Sequence, residues 1–352
     1  MEIGSATSKP GTTVHGWLDV TELPTGTTER IPVSITEGTE NGPTLWVTAA
    51  LHGNEVTGIG AVQDFMTDAI EAQLRGTVVC IPVLNPSGVR LDRRNSYYHD
   101  DDPNRSFPYG AGESSSPPHV QELINGRIFT HFTRTADALI SLHEGWIDEE
   151  LFTIVERVRY GTDRSRKEAE QLAAETMRLA EAFDLPIVRE YEVDIQEEYG
   201  LQQSFECAAV NAAGVPAITP ELGSPHVIEE EYLGAAITGI YNVMRELDML
   251  PGDPVPSDAA PESPVDFPVK RADGPTTDVP GFVRHHVEGG EPVEAGDPIA
   301  DITTAHGEVK TTITTEESGY ILGRRHGLAT YENDILVSMA TRDDGELIEE
   351  RS

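Results

Sequence analysis

Two hydrophobic rhythms alternate between residues 12 and 250. Short apolar runs bounded by Gly, Pro or Asn read as buried strands: "GPTLWVTAAL" (42–51), "TVVCIPVL" (77–84), "ADALISLH" (136–143) and "VPAITPELG" (215–223). Between them, apolar residues recur at helical spacing in "GIGAVQDFMTDAIEAQL" (58–74), "HVQELINGRIFTHFTRT" (119–135), "SRKEAEQLAAETMRLAEAFD" (165–184) and "EEEYLGAAITGIYNVMREL" (229–247). Strands alternating with helices predict an α/β fold, a mostly parallel or mixed sheet flanked by helices.

The rhythm then stops. "MLPGDPVPSDAAPESPVDFP" (249–268) is rich in Pro, Ser and acids, has no periodicity, and reads as a linker over 251–268. From Val269 onward only short alternating runs punctuated by glycine remain, which predicts a small all-β, barrel-like C-terminal domain over 269–352. Residues 1–250 form the expected catalytic domain. No solenoid repeat is visible.

Composition narrows the class. The 352 residues carry 61 acids against 25 bases, a formal net charge of −36. Only four of the bases are lysines, Lys9, Lys167, Lys270 and Lys310. Such a charge destabilises a compact state at low ionic strength and is relieved when salt shortens the screening length; the composition resembles proteins of extreme halophiles. With no basic face, nucleic acid is not an expected partner. No run of 18 apolar residues exists, so no membrane partner is expected. The first residues lack the basic and apolar regions of a secretory signal, and a cytoplasmic location is expected. Cys80 and Cys207 do not make a disulfide framework; Cys80 sits in an apolar run as a small core residue.

The chemistry gathers where apolar runs end. "TAALHGNEV" leaves a strand and places His52 and Glu55 three apart, on one face of a helical turn. An imidazole and a carboxylate at the C-terminal edge of a sheet are two parts of an open zinc site. "ISLHEG" ends another strand in His143, a candidate third ligand. The spacing is not that of a His-Glu-x-x-His helix, because Ile147 stands where the second His would be. Taken alone, His52 and Glu55 also fit an exposed helix start. The long polar loop "NPSGVRLDRRNSYYHDDDPNRSFP" (85–108) follows a strand. Within it, Arg105 beside Asn104 can grip a substrate carboxylate and Arg94 can polarise a carbonyl; the alternative is that these arginines only balance Asp100, Asp101 and Asp102. Glu221 in "TPELG" can serve as general base or simply cap its strand. Glu144 reads as a surface carboxylate, the alternative being a hydrogen bond behind the adjacent His143. Trp146 can line the site or pack beneath it. His99, His285 and His286 are further metal candidates, but none sits beside a carboxylate at ligand spacing on a buried strand end.

In order, "ALHGNE", "NPSG", "DPNRSFP", "ISLHEG" and "TPELG" resemble the motifs of the succinylglutamate desuccinylase/aspartoacylase family, over most of residues 30–250. The β-rich tail is similar to the barrel-like domain of many members. The resemblance implies a carboxypeptidase-like fold and a zinc-dependent deacylase of small N-acyl amino acids. It implies one Zn2+ on His52, Glu55 and His143, with Glu221 as general base. Asn104 and Arg105 would bind the substrate carboxylate. Arg94 would stabilise the oxyanion, with Arg90 and Arg93 as competitors. The chain departs from the family at Pro103, where an aliphatic residue is usual, and in its "HDDD" run. Those acids would turn away dianionic substrates and favour a cationic acylated amino acid. A peptide-cleaving metallocarboxypeptidase is the alternative of the same fold; it would need an open groove. A non-catalytic carrier is a further alternative, with Lys310 as its attachment point, though the usual preceding Met is absent. A homo-oligomer is compatible with all of these.

Overall fold

In the computed structural model, which describes residues 1–108, 118–161 and 163–351, the apolar runs join one twelve-stranded sheet. From one edge to the other its strands are Thr12–Glu22, Thr28–Glu37, Arg75–Ile81, Glu40–Thr48, Ala138–Ser141, Ala217–Leu222, Leu151–Val155, Ile187–Arg189, Val269–Asp273, Val337–Arg342, Gly319–Arg324 and Pro292–Val293. Pairing is parallel from Arg75–Ile81 through Ala217–Leu222. It turns antiparallel between Ala217–Leu222 and Leu151–Val155, and is parallel again to Val269–Asp273. Both flanks are antiparallel. The sheet is therefore mixed. Its central strands Ala138–Ser141 and Leu151–Val155 are buried at every residue, which requires cover on both faces.

The helices supply that cover. Helix Arg166–Phe183 starts at a capping box: the Glu168 carboxylate accepts the Ser165 N–H at 2.9 Å, and the Ser165 hydroxyl accepts from the Glu168 N–H at 3.3 Å. It buries Leu172, Leu179 and Phe183, and packs against helix Glu230–Glu246. Gly239 makes that approach possible, since a Cβ there would lie 2.7 Å from the Phe183 ring. Helix Val120–Thr135 presses Phe132 edge-on against Trp46, with ring centroids 5.6 Å apart. The helix expected over 58–74 spans only Thr57–Phe65. Thr67 ends it: its amide and hydroxyl both donate to the Asp64 carbonyl, at 3.0 and 2.8 Å, closing a turn in place of continued helix.

No helix occurs after residue 269 among the described residues. Four strands from this part hydrogen-bond into the central sheet, entered through Val269–Asp273 beside Ile187–Arg189. Four more form a separate antiparallel sheet, Val309–Thr314, Pro298–Thr303, Gly281–His285 and Ala329–Thr330. The preceding Pro- and acid-rich stretch carries no helix or strand, yet it is held. Asn242 bonds both the N–H and the carbonyl of Val255, and the Ser257 N–H donates to Asp184. Lys310 lies within a strand and donates to the Pro280 carbonyl, unlike an attachment lysine at a hairpin tip. Among the described residues no helix is long and apolar enough to cross a membrane.

Candidate metal centre and active site

The strand Glu40–Thr48 ends at the sheet edge, and Ala50 turns the chain with φ +47°, a costly conformation for a residue with a Cβ. His52 and Glu55 follow on the turn entering helix Thr57–Phe65. Gly53 lies flat on the backbone of Gly88; a Cβ there would sit 2.1 Å from the Gly88 carbonyl carbon. The "HGNE" and "NPSG" motifs are thus pressed together. Asn85, fully buried, binds that turn shut: its side-chain oxygen accepts from the Gly88 N–H and from the Ser87 hydroxyl, each at 2.9 Å. "NPSG" is scaffold for the loop that carries His52.

His143 follows strand Ala138–Ser141 beside Glu40–Thr48. The sheet register therefore brings it to His52 and Glu55. His52 Nδ1 lies 2.7 Å from one Glu55 oxygen and His143 Nδ1 lies 2.9 Å from the other. Among the described residues neither His52 Nδ1 nor Glu55 Oε2 has a hydrogen-bond partner, although all three side chains are buried. The far ring nitrogens are occupied. His52 Nε2 faces Asp102 at 3.3 Å, and His143 Nε2 faces Glu206 at 3.0 Å. With each Nε2 donating to its carboxylate, the imidazoles would offer their Nδ1 lone pairs toward the Glu55 carboxylate. Three converging acceptors call for a cation between them. These three residues are the one group of metal-capable side chains among the described residues. His99 stacks on His119, His285 faces the Leu336 carbonyl, and His286 pairs with Asp301.

The backing carboxylates escaped the sequence reading. Asp102 belongs to the acidic run. It also accepts from the Asn104 N–H, capping a turn at Pro103–Arg105 in which Pro103 takes the first position, where its missing N–H costs nothing. The flanking imidazole of His52 and the guanidinium of Arg94 hold it ionised against the cost of burial. Glu206 interrupts the apolar segment Phe205–Ala208, and that interruption was the available signal. Burial would raise its pKa, but His143, Ser141 and Asn104 bring it to about 2.

Glu144 is not a surface residue. It is buried, and its carboxylate accepts the N–H of Val56 at 3.0 Å and the N–H of Thr57. Val56, at the head of helix Thr57–Phe65, has no side-chain cap of its own, so a residue beside His143 caps the helix that follows Glu55. Burial pushes its pKa up to about 8.

A cavity of about 460 Å³ opens beside the centre. Glu221 reaches it from strand Ala217–Leu222, bridged to His143 through the backbone. Its Oε2 has no partner, and burial raises its pKa to about 7. Trp146 lines the cavity as well. Of the three candidate arginines, only Arg94 does; it donates to Glu55 at 3.3 Å, while Arg90 grips buried Glu29 with two bonds of 2.8 Å. Arg105 lines the cavity and is steadied by the carbonyls of Tyr199 and Asn104, at 3.0 and 2.8 Å. Asn104 lines the cavity as well, donating to Glu206 at 3.0 Å and accepting from the Phe205 N–H at 2.7 Å. The acids of "HDDD" do not line the cavity, because Asp102 backs His52 and Asp101 pairs with His119 at 2.7 Å. The carboxylates that do, beyond Glu55, are Glu144, Glu149, Glu156, Glu190, Glu206 and Glu221. From the C-terminal strands and turns, Arg271, Arg325, His326 and Ser338 wall the other side.

Residues 41–247 match the model of the succinylglutamate desuccinylase/aspartoacylase catalytic domain. The chain is 25% identical over 340 residues to N-alpha-acetyl-L-2,4-diaminobutyric acid deacetylase of Halomonas elongata, covering 93% of this chain and 91% of that one. It superposes with a TM-score of 0.77 on a succinylglutamate desuccinylase/aspartoacylase from Rhodobacter sphaeroides, at 18% identity and covering 96% and 99% of the two chains. A TM-score of 0.76 relates it to the product-bound ectoine utilization protein EutE (DoeB) of Ruegeria pomeroyi, at 21% identity and covering 95% and 96%. The chain belongs to the succinylglutamate desuccinylase/aspartoacylase family.

Proposed function

We propose that this protein is a zinc-dependent hydrolase that releases the acyl group of a small N-acyl amino acid. The observation that carries this reading is the buried convergence of His52 Nδ1, His143 Nδ1 and the Glu55 carboxylate, with the unpartnered Glu221 carboxylate beside them. Two imidazoles and one carboxylate suit zinc, and the ion would supply an acidified water and a polarised acyl carbonyl. Glu221, raised toward neutrality, takes the proton of the attacking water and returns it to the leaving amine. Arg94 lies against Glu55, where it can face the developing oxyanion. Arg105 presents its guanidinium to the substrate carboxylate. Asn104 positions Glu206 and, through it, His143.

The wall made by Arg271, Arg325, His326 and Ser338 supports a small substrate over a peptide. The Halomonas elongata relative supports an N-acetylated diamino acid. The test is metal analysis of protein purified in high salt, then an assay over N-acetyl amino acids with acidic, neutral and cationic side chains, before and after chelation. About one zinc per chain and chelator-sensitive acetate release are expected. Hydrolysis that survives complete removal of metal would sink the proposal.

A further inference from the structure

Two strand ends and a short helix bring an excess of carboxylate to the cavity. Glu156 follows strand Leu151–Val155, Glu190 follows Ile187–Arg189, and Glu206 lies in Phe205–Ala208; each is at most 4% exposed. Two of the three have partners. Glu190 holds Arg271 at 3.0 Å, and Glu206 holds His143 and Asn104, each at 3.0 Å. Glu156 Oε2 has none among the described residues. The nearby cations pair with other groups, Arg271 with Glu190 and Arg159 with Gln196 at 3.1 Å and Glu197 at 3.6 Å; Arg159 Nε is left without a partner but makes no ion pair with Glu156 among the described residues. A buried carboxylate without a hydrogen-bond partner is costly unless something that enters the cavity completes it.

We propose that Glu156 is a specificity-determining residue whose carboxylate receives a primary ammonium on the substrate's side chain, making mono-acylated diamino acids the preferred substrates. The inference rests on the deacylase reading and adds the residue that selects the side chain. Burial, then the charges of Glu190 and Glu206, raise the pKa of Glu156 when nothing faces it, and an ammonium removes that pressure. A divalent ion is the poorer occupant, since Glu156 belongs to no group of converging ligands among the described residues.

The test compares ligands of one shape and different charge. L-2,4-diaminobutyrate and L-norvaline differ in ending their side chains in an ammonium or a methyl. Calorimetric binding of both to the metal-loaded protein, and kcat/KM for their Nα-acetyl derivatives, are measured for the wild type, Glu156→Gln and Glu156→Asp. A charge-assisted bond predicts a preference for the diamino compound of about 10- to 100-fold in the wild type. That preference should fall to about 1 in Glu156→Gln and be partly kept in Glu156→Asp, at unchanged metal content and Tm. No preference in the wild type, or one that persists in a folded Glu156→Gln, overturns the inference. A Glu156-dependent binding preference without any deacylation upholds it and removes the deacylase reading instead. Deacylation without the preference does the reverse.

Discussion

Glu221 and Glu206 are both acids beside His143, and their surroundings give them different tasks. Glu221 has an unpartnered oxygen and a pKa near 7, so it can exchange a proton at neutral pH. Glu221→Gln should keep its zinc, measured by metal analysis, and lose about 10²- to 10⁴-fold in kcat. A variant within tenfold of wild type would take Glu221 out of the mechanism. Glu206 is held near 2 and bonds the far side of the His143 ring. Glu206→Gln should weaken zinc binding by about 10- to 100-fold in a competition titration with a chelating dye, the usual cost of losing a carboxylate behind a metal-binding imidazole. An unchanged affinity would show that His143 needs no support. The convergence of His52, Glu55 and His143 was legible in the sequence because both histidines stand where an apolar run ends and Glu55 follows His52 on the same turn. Asp102, Glu206 and Glu156 were not, because side chains brought together from a loop, a short helix and a strand end leave no periodicity to read. Glu144 misled for the opposite reason. It follows a strand as a surface acid would, and only the fold shows the two amides it accepts.

At the scale of elements, two loop-to-helix segments act as one clamp. The Gly53–Gly88 contact and the Glu144 cap both tie the His52–Glu55 turn to neighbouring strands. Gly53→Ala must push the turn off Gly88, so it should lower zinc affinity as well as Tm; loss of Tm alone would mean that the turn relaxes without moving the ligands. Glu144→Ala leaves the amides of Val56 and Thr57 unpaired and should cost about 1–3 kcal/mol in urea unfolding. A change below about 0.5 kcal/mol would contradict the capping role. The long helices were readable end to end, as with Ser165 and Asp184 bounding Arg166–Phe183. The helix after Glu55 was overextended, because Met66, Ile70 and Leu74 keep helical spacing although Thr67 has already turned the chain. The joining of Val269–Asp273 to Ile187–Arg189 was also hidden, since strand partners 81 residues apart carry no local mark.

The whole molecule carries a charge of −36 that the site does not explain. Most acids lie on the surface, where like charges repel over the Debye length, about 8 Å at 0.15 M salt and about 3 Å at 1 M. Folding concentrates them, so the native state suffers more from low salt than the unfolded chain does. Tm should therefore rise by about 5 °C or more between 0.1 and 1 M potassium chloride, the shift that a few kcal/mol produces in a chain of this size. Screening and salting-out are separable. Screening is nearly complete by about 1 M, whereas surface exclusion keeps strengthening and is greater for sulfate. A rise that levels off and is shared by chloride and sulfate at equal ionic strength identifies charge repulsion. A Tm that stays flat to 1 M would mean that repulsion among the surface acids does not limit the stability of the native state, and the halophile-like composition would then have no consequence for stability.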